Sequence, residues 1–406
     1  MTIKELCGRS CTGCLACVEK CGLGAISVRY NTEGFPYPDI NDSLCADCGQ
    51  CSKVCPVLSE GYMFNKTIEG FLCCGKDQKL TFLSASGGAF SVFADYYITK
   101  LNGIVFGACM DGDFIVRHHG SASDISKMQG SKYVQSHTNG CFECAKKYLD
   151  AGRHVLFSGT PCQIAGLKNY LRQDYERLLT VDIVCHGVAS PKLFIQYIRH
   201  LESKYQRKIA SYRFRNKTKY DAGGFVSKIV FDHPSGRSYG KPEKLIHAQR
   251  DVFFSAYLKG LIFRESCYEC RFACRDRVSD LTLGDCNTAG DYPEFHPGEA
   301  KSIVLCNTPH GKSLFESLKN EFDGCNLNLE KEQRVNKQLN APSHRPAERE
   351  STLKMFACGE FDRKRLPALR LTPKQKIKTR IQMILPWKFR SSVGTKLKQF
   401  MKKQTK

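Results

Sequence analysis

Eight of the cysteines in the first 60 residues fall into two identical rhythms. One is Cys11-x-x-Cys14-x-x-Cys17-x-x-x-Cys21 and the other is Cys45-x-x-Cys48-x-x-Cys51-x-x-x-Cys55, followed by Pro56. Two-residue spacers let three thiolates of a tight loop reach three irons of one cubane, while the fourth cysteine, entering a helix, crosses to the other. The spacing therefore assigns Cys11, Cys14, Cys17 and Cys55 to one [4Fe-4S] cluster, and Cys45, Cys48, Cys51 and Cys21 to a second. A zinc ribbon uses four sulfurs rather than eight in this rhythm, and inert buried cysteines have no reason to keep it. Cys7 stands outside the repeat and reads as a non-ligand. The chemistry such clusters supply is one-electron transfer, which leaves open what the remaining residues do.

A second concentration of thiols follows at Cys267-x-x-Cys270-x-x-x-Cys274. Three thiolates this close call for a metal or a redox role. A third [4Fe-4S] cluster fits a chain that already carries two, with Cys162, Cys185 or Cys286 as the fourth ligand; zinc is the alternative. Cys185 and His186 stand side by side and are the candidate catalytic pair, against the plainer reading of a buried thiol beside a hydrogen-bonded core histidine. Cys141 and Cys144, three apart on one helix face, read as core packing first and as a redox pair second. Two loops could take an anion. Ser158-Gly159-Thr160-Pro161-Cys162-Gln163 runs from an apolar segment into a helix start with free backbone N–H groups, and Ser84-Ala85-Ser86-Gly87-Gly88-Ala89 joins small residues to a helix in the same manner.

The elements that must position these residues alternate in type. Strands are expected at 103–109, 154–158 and 178–184. Helices are expected at 87–100, 138–151 and 191–205, the last beginning with Pro191 at a first helical turn. This alternation argues for an α/β domain. Before it, Ala25 to Tyr37, with Ile26, Val28 and Tyr30 alternating, reads as a strand and turn between the two cysteine loops. The fold class expected is thus mixed, α+β / α/β: a small two-cluster module over 1–65, a larger α/β flavin-binding domain over 70–325, and a basic, partly amphipathic extension over 326–406.

The first module resembles bacterial two-cluster ferredoxins, departing from them at Gly22, where the first motif normally ends in proline. Farther on, Ser86-Gly87-Gly88, Gly130-Ser131-Lys132-Tyr133-Val134, Gly159-Thr160-Pro161-Cys162-Gln163, Val184-Cys185-His186-Gly187, Tyr212-Arg213-Phe214-Arg215, Cys267-Tyr268-Glu269-Cys270 and Ser279 to Asp285 follow one another in order. Together they resemble the family of coenzyme F-420 hydrogenase/dehydrogenase beta subunits over roughly residues 70 to 320. The resemblance implies a bound FAD that exchanges hydride with a deazaflavin or another small acceptor and trades single electrons with iron–sulfur clusters. It also implies that Ser86, Gly87, Gly88, Ser131, Lys132, Gly159, Thr160, Pro161 and Gln163 line the flavin site. Cys286 follows Gly284-Asp285 where many relatives carry an aromatic residue, so the wall of the pocket does not transfer. Some relatives occur among genes for surface polysaccharide synthesis, which keeps a glycan substrate open.

Composition sets the outer bounds. The 406 residues include 23 cysteines, and no N-terminal stretch reads as a secretory leader, so a reducing cytoplasmic setting is expected. No run of about 18 apolar residues offers a spanning helix. The net charge of +21 is concentrated at one end, since residues 363–406 hold 15 Lys and Arg and no acid. There Ile377, Ile381 and Ile384 recur three and four apart among lysines, close to the single Trp387. A peripheral contact with the inner face of a membrane is expected of such a segment, with a solvated tail as the alternative and nucleic acid a poor third. Two functional classes remain: an enzyme passing electrons between clusters and a flavin, and a non-catalytic electron-transfer subunit serving a separate hydrogenase or dehydrogenase. Regulatory sensing ranks last, for want of a DNA-reading element.

Overall fold

The duplicated cysteine rhythm folds into duplicated turns. Helix α1 (Ala16–Lys20) follows Leu15 at φ 62° and ends on Cys21 in extended conformation, and helix α2 (Gln50–Val54) follows Gly49 at φ 66° and ends on Cys55, also extended. A left-handed step after each Cys-x-x-Cys swings the third cysteine onto the helix, and the extended end carries the fourth thiol away from its own loop. Between them β1 (Ile26–Tyr30) and β2 (Pro36–Ile40) pair antiparallel, Ile26 opposite Ile40, as the alternation predicts. The structure, a computed structural model, describes residues 3, 10–59, 62–138, 140–219, 224–232, 241–293, 295, 300–387 and 389; Cys7, Lys388 and the basic residues from Arg390 onward lie outside them.

The central elements follow in order as β3 (Glu69–Gly75), α3 (Gln78–Phe82), α4 (Ala89–Thr99), β4 (Ile104–Met110), β5 (Val116–Ser121), α5 (Cys141–Asp150), β6 (Val155–Gly159), α6 (Pro161–Leu171), β7 (Leu178–Ile183) and α7 (Pro191–Tyr205). Then come β8 (Ile209–Arg213), β9 (Val226–Phe231), β10 (Glu243–His247), α8 (Val252–Leu258), β11 (Leu281–Asp285), β12 (Ser302–Cys306), α9 (Pro309–Leu318), β13 (Phe322–Asn326), α10 (Leu329–Val335), α11 (Arg349–Ala357) and α12 (Pro373–Ile384). Eight strands form one mixed sheet in the order β13-β3-β12-β11-β7-β6-β4-β5. Strands β4, β6, β7 and β11 are mutually parallel, and β12 runs against both β11 and β3. The carboxyl ends of β3, β4, β6, β7 and β11 therefore share one edge, the usual position for a site in such a sheet.

Both faces of the sheet are covered. One carries Phe93 of α4 and Phe315 of α9 over Phe71, Val105, Leu156 and Leu179. The other carries Phe142, Ile164 and Ala165 over Phe157, and Cys14, Ala16, Ile26 and Val54 of the cysteine module are part of the same core. A separate antiparallel sheet, β8-β9-β10, is inserted between β7 and β11 and packs its aromatics, Tyr212 and Phe231, against Phe194, Tyr197 and Phe253. Leu353, Phe356, Phe361, Leu366 and Leu369 are buried in that second core, so the chain from α10 to about residue 370 is part of the folded body. Among the described residues, no helix is long and apolar enough to cross a membrane.

Candidate functional site

Four thiols of the first module surround an enclosed cavity, and they are Cys11, Cys14, Cys17 and Cys55, with Ile3 and Tyr37 completing the wall. The crossing of Cys55 to the first loop is thus present in the structure. Burial pushes the Cys14 thiol far up, and the neighbouring Cys17 and Cys55 push it further; Cys17 rises for the same reasons, with Cys11 the leading neighbour. Cys55 is raised by burial and by Cys11 and Cys51. A buried, all-sulfur set whose members oppose each other's ionisation is an unfavourable arrangement for bare thiolates and a fitting one for iron, which takes up their charge. Of the second set, Cys48 is exposed and Cys21, Cys45 and Cys51 are partly so, which puts that half of the module at the surface.

The thiols of the central domain come together at the carboxyl edge of the sheet. Cys162 sits in the first turn of α6, whose start is fixed by Thr160: its backbone N–H donates to Gln163 Oε1 at 3.0 Å, and its hydroxyl lies 3.2 Å from Cys162 Sγ. Gln163 in turn donates to Ser136. Cys185 follows the end of β7, while Cys267 and Cys270 lie on and just after a 3-10 turn at Glu265–Glu269. Burial raises Cys185 far up, helped by Cys267, Cys162 and Cys270; Cys267 and Cys270 are each pushed up to about 12, by burial first and then by Cys162. These four, each half-buried, form the second thiol set, and Cys162 also bears on Cys14 of the first.

Cys274 and Cys286, which spacing put forward as ligands, have partners of their own. Cys274 donates to Asp276 O at 3.1 Å, and the charges that act most on it are those of Arg277 and Asp276. Cys286 is near Thr288 Oγ1 and Glu332 Oε2, each at 3.5 Å. Among the described residues no group of three His, Cys, Asp or Glu side chains gathers in the way a single metal ion requires. Cys141 is buried and directs its thiol to His118 O, while Cys144 of the same helix is exposed, so only the first of the pair packs into the core.

One side chain joins these two sets. Arg264 is fully buried; it donates from Nε to Cys11 O at 2.7 Å and from Nη1 to Pro36 O at 2.9 Å and Gln135 Oε1 at 3.1 Å. Its guanidinium lies 4.0 Å over the Tyr37 ring, and its charge opposes the upward shifts of Cys162 and Cys267. Nη2 is buried without a hydrogen-bond partner. The module is seated by further polar contacts. The Glu19 carboxylate accepts from the N–H groups of Gly140, Phe142 and Glu143 at the start of α5, and Thr138 donates to Cys14 O. Gly166 of α6 lets Cys14 approach, since a Cβ there would lie 3.1 Å from its Sγ.

On the far side of Cys185 the edge opens to solvent. His186 lies at the surface there, and desolvation of its ring lowers its pKa, with the nearby Asp285 carboxylate acting against that shift. Asp285 accepts from buried Arg215 at 2.7 Å, and Arg215 stacks on Phe225 at 4.5 Å. Tyr133 hydrogen-bonds Ser131 and Arg215. Arg213 links the two loops expected at a flavin, donating to Leu83 O at 2.8 Å and lying against Gly130. Beside them is an open cleft of about 480 Å³, lined by Cys74, Phe82, Lys217, Lys219 and Trp387 among others.

The expected flavin residues divide into two groups. Ser86, Gly87, Gly88, Ser131 and Lys132 belong to this open side, whereas Gly159, Thr160, Pro161 and Gln163 shape the turn that carries Cys162. Several are engaged within the chain. Ser86 donates to Lys301 O; a Cβ on Gly87 would meet Cys73 O at 2.4 Å; Gly88, at φ +86°, precedes α4. Lys132 is not a surface lysine. Its Nζ donates to the carbonyls of Lys127, Met128 and Gln129, and burial lowers its pKa to about 7. Sequence reasoning missed Arg264, Gln135 and Glu19, whose partners are backbone groups of distant segments and leave no spacing to read. Arg215 and Asp285 lay inside the quoted motifs, but nothing in those motifs pairs them.

Comparison with known proteins adds the following. Residues 152–323 match the family described as coenzyme F420 hydrogenase/dehydrogenase, C terminus of the beta subunit, and residues 10–58 match the 4Fe-4S dicluster domain. A subunit of the F(420)H(2) dehydrogenase of Methanosarcina mazei is 24% identical over 191 residues, covering 43% of this chain and 53% of that protein, so the match spans about half of the relative's length. A chain in a structure of the F420-reducing [NiFe] hydrogenase complex from Methanosarcina barkeri aligns with a TM-score of 0.44 at 15% identity, over 68% of this chain and 91% of that one.

Proposed function

Given that residues 152–323 belong to the family of coenzyme F420 hydrogenase/dehydrogenase beta subunits and residues 10–58 to the 4Fe-4S dicluster domain, we propose that the chain is an iron–sulfur oxidoreductase with three thiol sets in line. The outer set is Cys21, Cys45, Cys48 and Cys51. The middle set is Cys11, Cys14, Cys17 and Cys55, and the inner set is Cys162, Cys185, Cys267 and Cys270. When bound, [4Fe-4S] clusters supply one-electron transfer and a flavin supplies hydride exchange coupled to it. The observation that carries this reading is that Cys14 of the middle set packs against Gly166 of α6, the helix whose first turn holds Cys162 of the inner set.

The chain's own residues support the order. The outer set, with Cys48 exposed, suits a redox partner protein, and the middle set, with Cys14 and Cys17 buried, is better shielded from water. Cys185 stands among the thiols while the adjacent His186 is exposed near Asp285, so one dipeptide joins the inner set to the open edge of the sheet. At that edge His186 can hold or release a proton at its ring nitrogen, and Arg215, ion-paired to Asp285, lies close to Lys217 on the wall of the open cleft. An FAD in that cleft, and a deazaflavin-like or glycan-derived hydride acceptor beside it, complete the reading. A chain with this many free thiols fits the cytoplasm, with peripheral contact at the inner membrane face through the basic C-terminal segment. A second reading, an electron-transfer subunit without chemistry of its own, is favoured by one observation: the polar groups of Ser86, Lys132, Thr160 and Gln163 are already engaged within the chain.

Anaerobic purification followed by iron, acid-labile sulfide and flavin determination separates the readings. Three clusters give roughly 12 Fe per chain and two give roughly 8. About one FAD with that iron supports the oxidoreductase, and iron without flavin after reconstitution supports the subunit.

A further inference from the structure

Helix α12 carries an apolar stripe with nothing over it. At 100° per residue Ile377, Ile381 and Ile384 share one side; they are 60%, 44% and 68% exposed. Thr379, on the opposite side, is buried against the body, so the stripe points outward by construction. The helix is firmly started, since Thr372 Oγ1 accepts from Gln375 N–H and Gln375 Oε1 accepts from Thr372 N–H. Past Ile384 the apolar surface continues in exposed Leu385 and Phe389.

Charge decides what can cover this stripe. Lys374 and Lys378 border it on one side, Arg380 and Lys376 on the other, and all four are exposed. None of them makes an ion pair among the described residues, and the sequence has no acid after Asp362 to neutralise them. Two copies of the helix laid face to face would bring eight such cations together without a counter-charge. An anionic bilayer presents an apolar interior beneath a negative surface, which satisfies the stripe and both cationic borders at once.

We propose that α12 lies flat in the headgroup region of an anionic membrane, its three isoleucines inserted and its lysines and arginine at the lipid phosphates. This deepens the peripheral-contact part of the reading above and rests on it. The backbone N–H of Trp387 donates to Lys219 O at 3.0 Å, on the rim of the open cleft, so a seated helix holds that cleft beside the lipid.

The test uses the full-length protein with its iron, sedimented with vesicles of phosphatidylcholine alone or mixed with phosphatidylglycerol. Binding is expected on the mixed vesicles, weakened by salt and reduced more than tenfold in the triple variant Ile377→Ser, Ile381→Ser, Ile384→Ser. That variant keeps every charge of the tail, including those beyond residue 389. Unchanged binding of the variant would overturn the proposal, because electrostatic attraction of the tail alone would then suffice. Equal binding to pure phosphatidylcholine would overturn it as well. A variant that changes only the elution volume on gel filtration would assign the stripe to a second copy instead. Iron content, measured in parallel, reports on the redox reading independently.

Discussion

Arg264 is the residue whose replacement says most about the arrangement of thiols. Arg264→Gln removes a buried positive charge between the middle and inner sets and keeps an amide that can still donate toward Pro36 O. Reduction of either set adds negative charge, which a nearby cation stabilises, so losing the cation lowers the midpoint potential. At an effective dielectric of about 20 and a separation of roughly 7 Å, one charge pair is worth about 2 kcal/mol. With 59 mV per tenfold change for one electron, that corresponds to a fall on the order of 100 mV as an upper estimate. The variant also loses the bond to Cys11 O at 2.7 Å and weakens that to Gln135, so the module is expected to be held less firmly. The assay is a potentiometric titration followed by low-temperature electron paramagnetic resonance, with Arg264→Lys in parallel. Lysine restores the charge without the planar fork and is expected to recover most of the potential but not the stability. If glutamine and lysine shift the midpoint equally, or neither shifts it, Arg264 is a structural strut and the electrostatic argument is wrong.

Two further expectations follow from the site. Cys270→Ser or Cys185→Ser is expected to remove about four irons per chain and Cys274→Ser none; equal loss in Cys270→Ser and Cys274→Ser would disprove the inner set as drawn. His118, buried with Nε2 3.0 Å from Ser158 O, is pulled down to about 4 chiefly by burial. Between that value and about 6.5 the unfolded chain binds one proton more than the native one, so stability falls as pH drops through this window, by about 3 kcal/mol in all. Chemical denaturation of wild type and His118→Gln from pH 7 to 4 checks it, and parallel slopes would exclude His118 as the source.

How much of this was legible in the sequence varies with how local the cause is. The cysteine repeat predicted two alike turns and the crossing of Cys55, because spacer length and a left-handed residue are local facts. Pro191 marked the first residue of α7, and the strands at β4, β6 and β7 lay within one residue of where their apolar runs put them. Cys162 and Cys185 were recognised as alternative fourth ligands beside Cys267 and Cys270, but not as standing there together: the short spacing to Cys274 suggested a third ligand whose thiol is instead directed to Asp276 O. Lys132 was placed at the flavin site by resemblance, whereas three backbone carbonyls absorb its ammonium. The residues from α10 to Leu369 fall within the expected C-terminal extension, and among them Leu353, Phe356 and Phe361 each find the aromatic core of the second sheet. Such pairings are made by tertiary contact, and a single sequence records only one member of each.

The inner thiol set has a consequence for folding as well as for electrons. Cys185 lies just past the end of β7 and Cys267 in the 3-10 turn that follows α8, and between them the chain builds α7, the whole β8-β9-β10 sheet and α8. A group bound across both cysteines closes that excursion at its root and ties it to Cys162 of α6. In polymer terms it is a staple on a long loop, one whose effect is to remove conformational freedom from the unfolded chain. The two sheets of the loaded protein are therefore expected to unfold together, and those of the metal-free chain to part company, the inserted sheet melting on its own aromatic core.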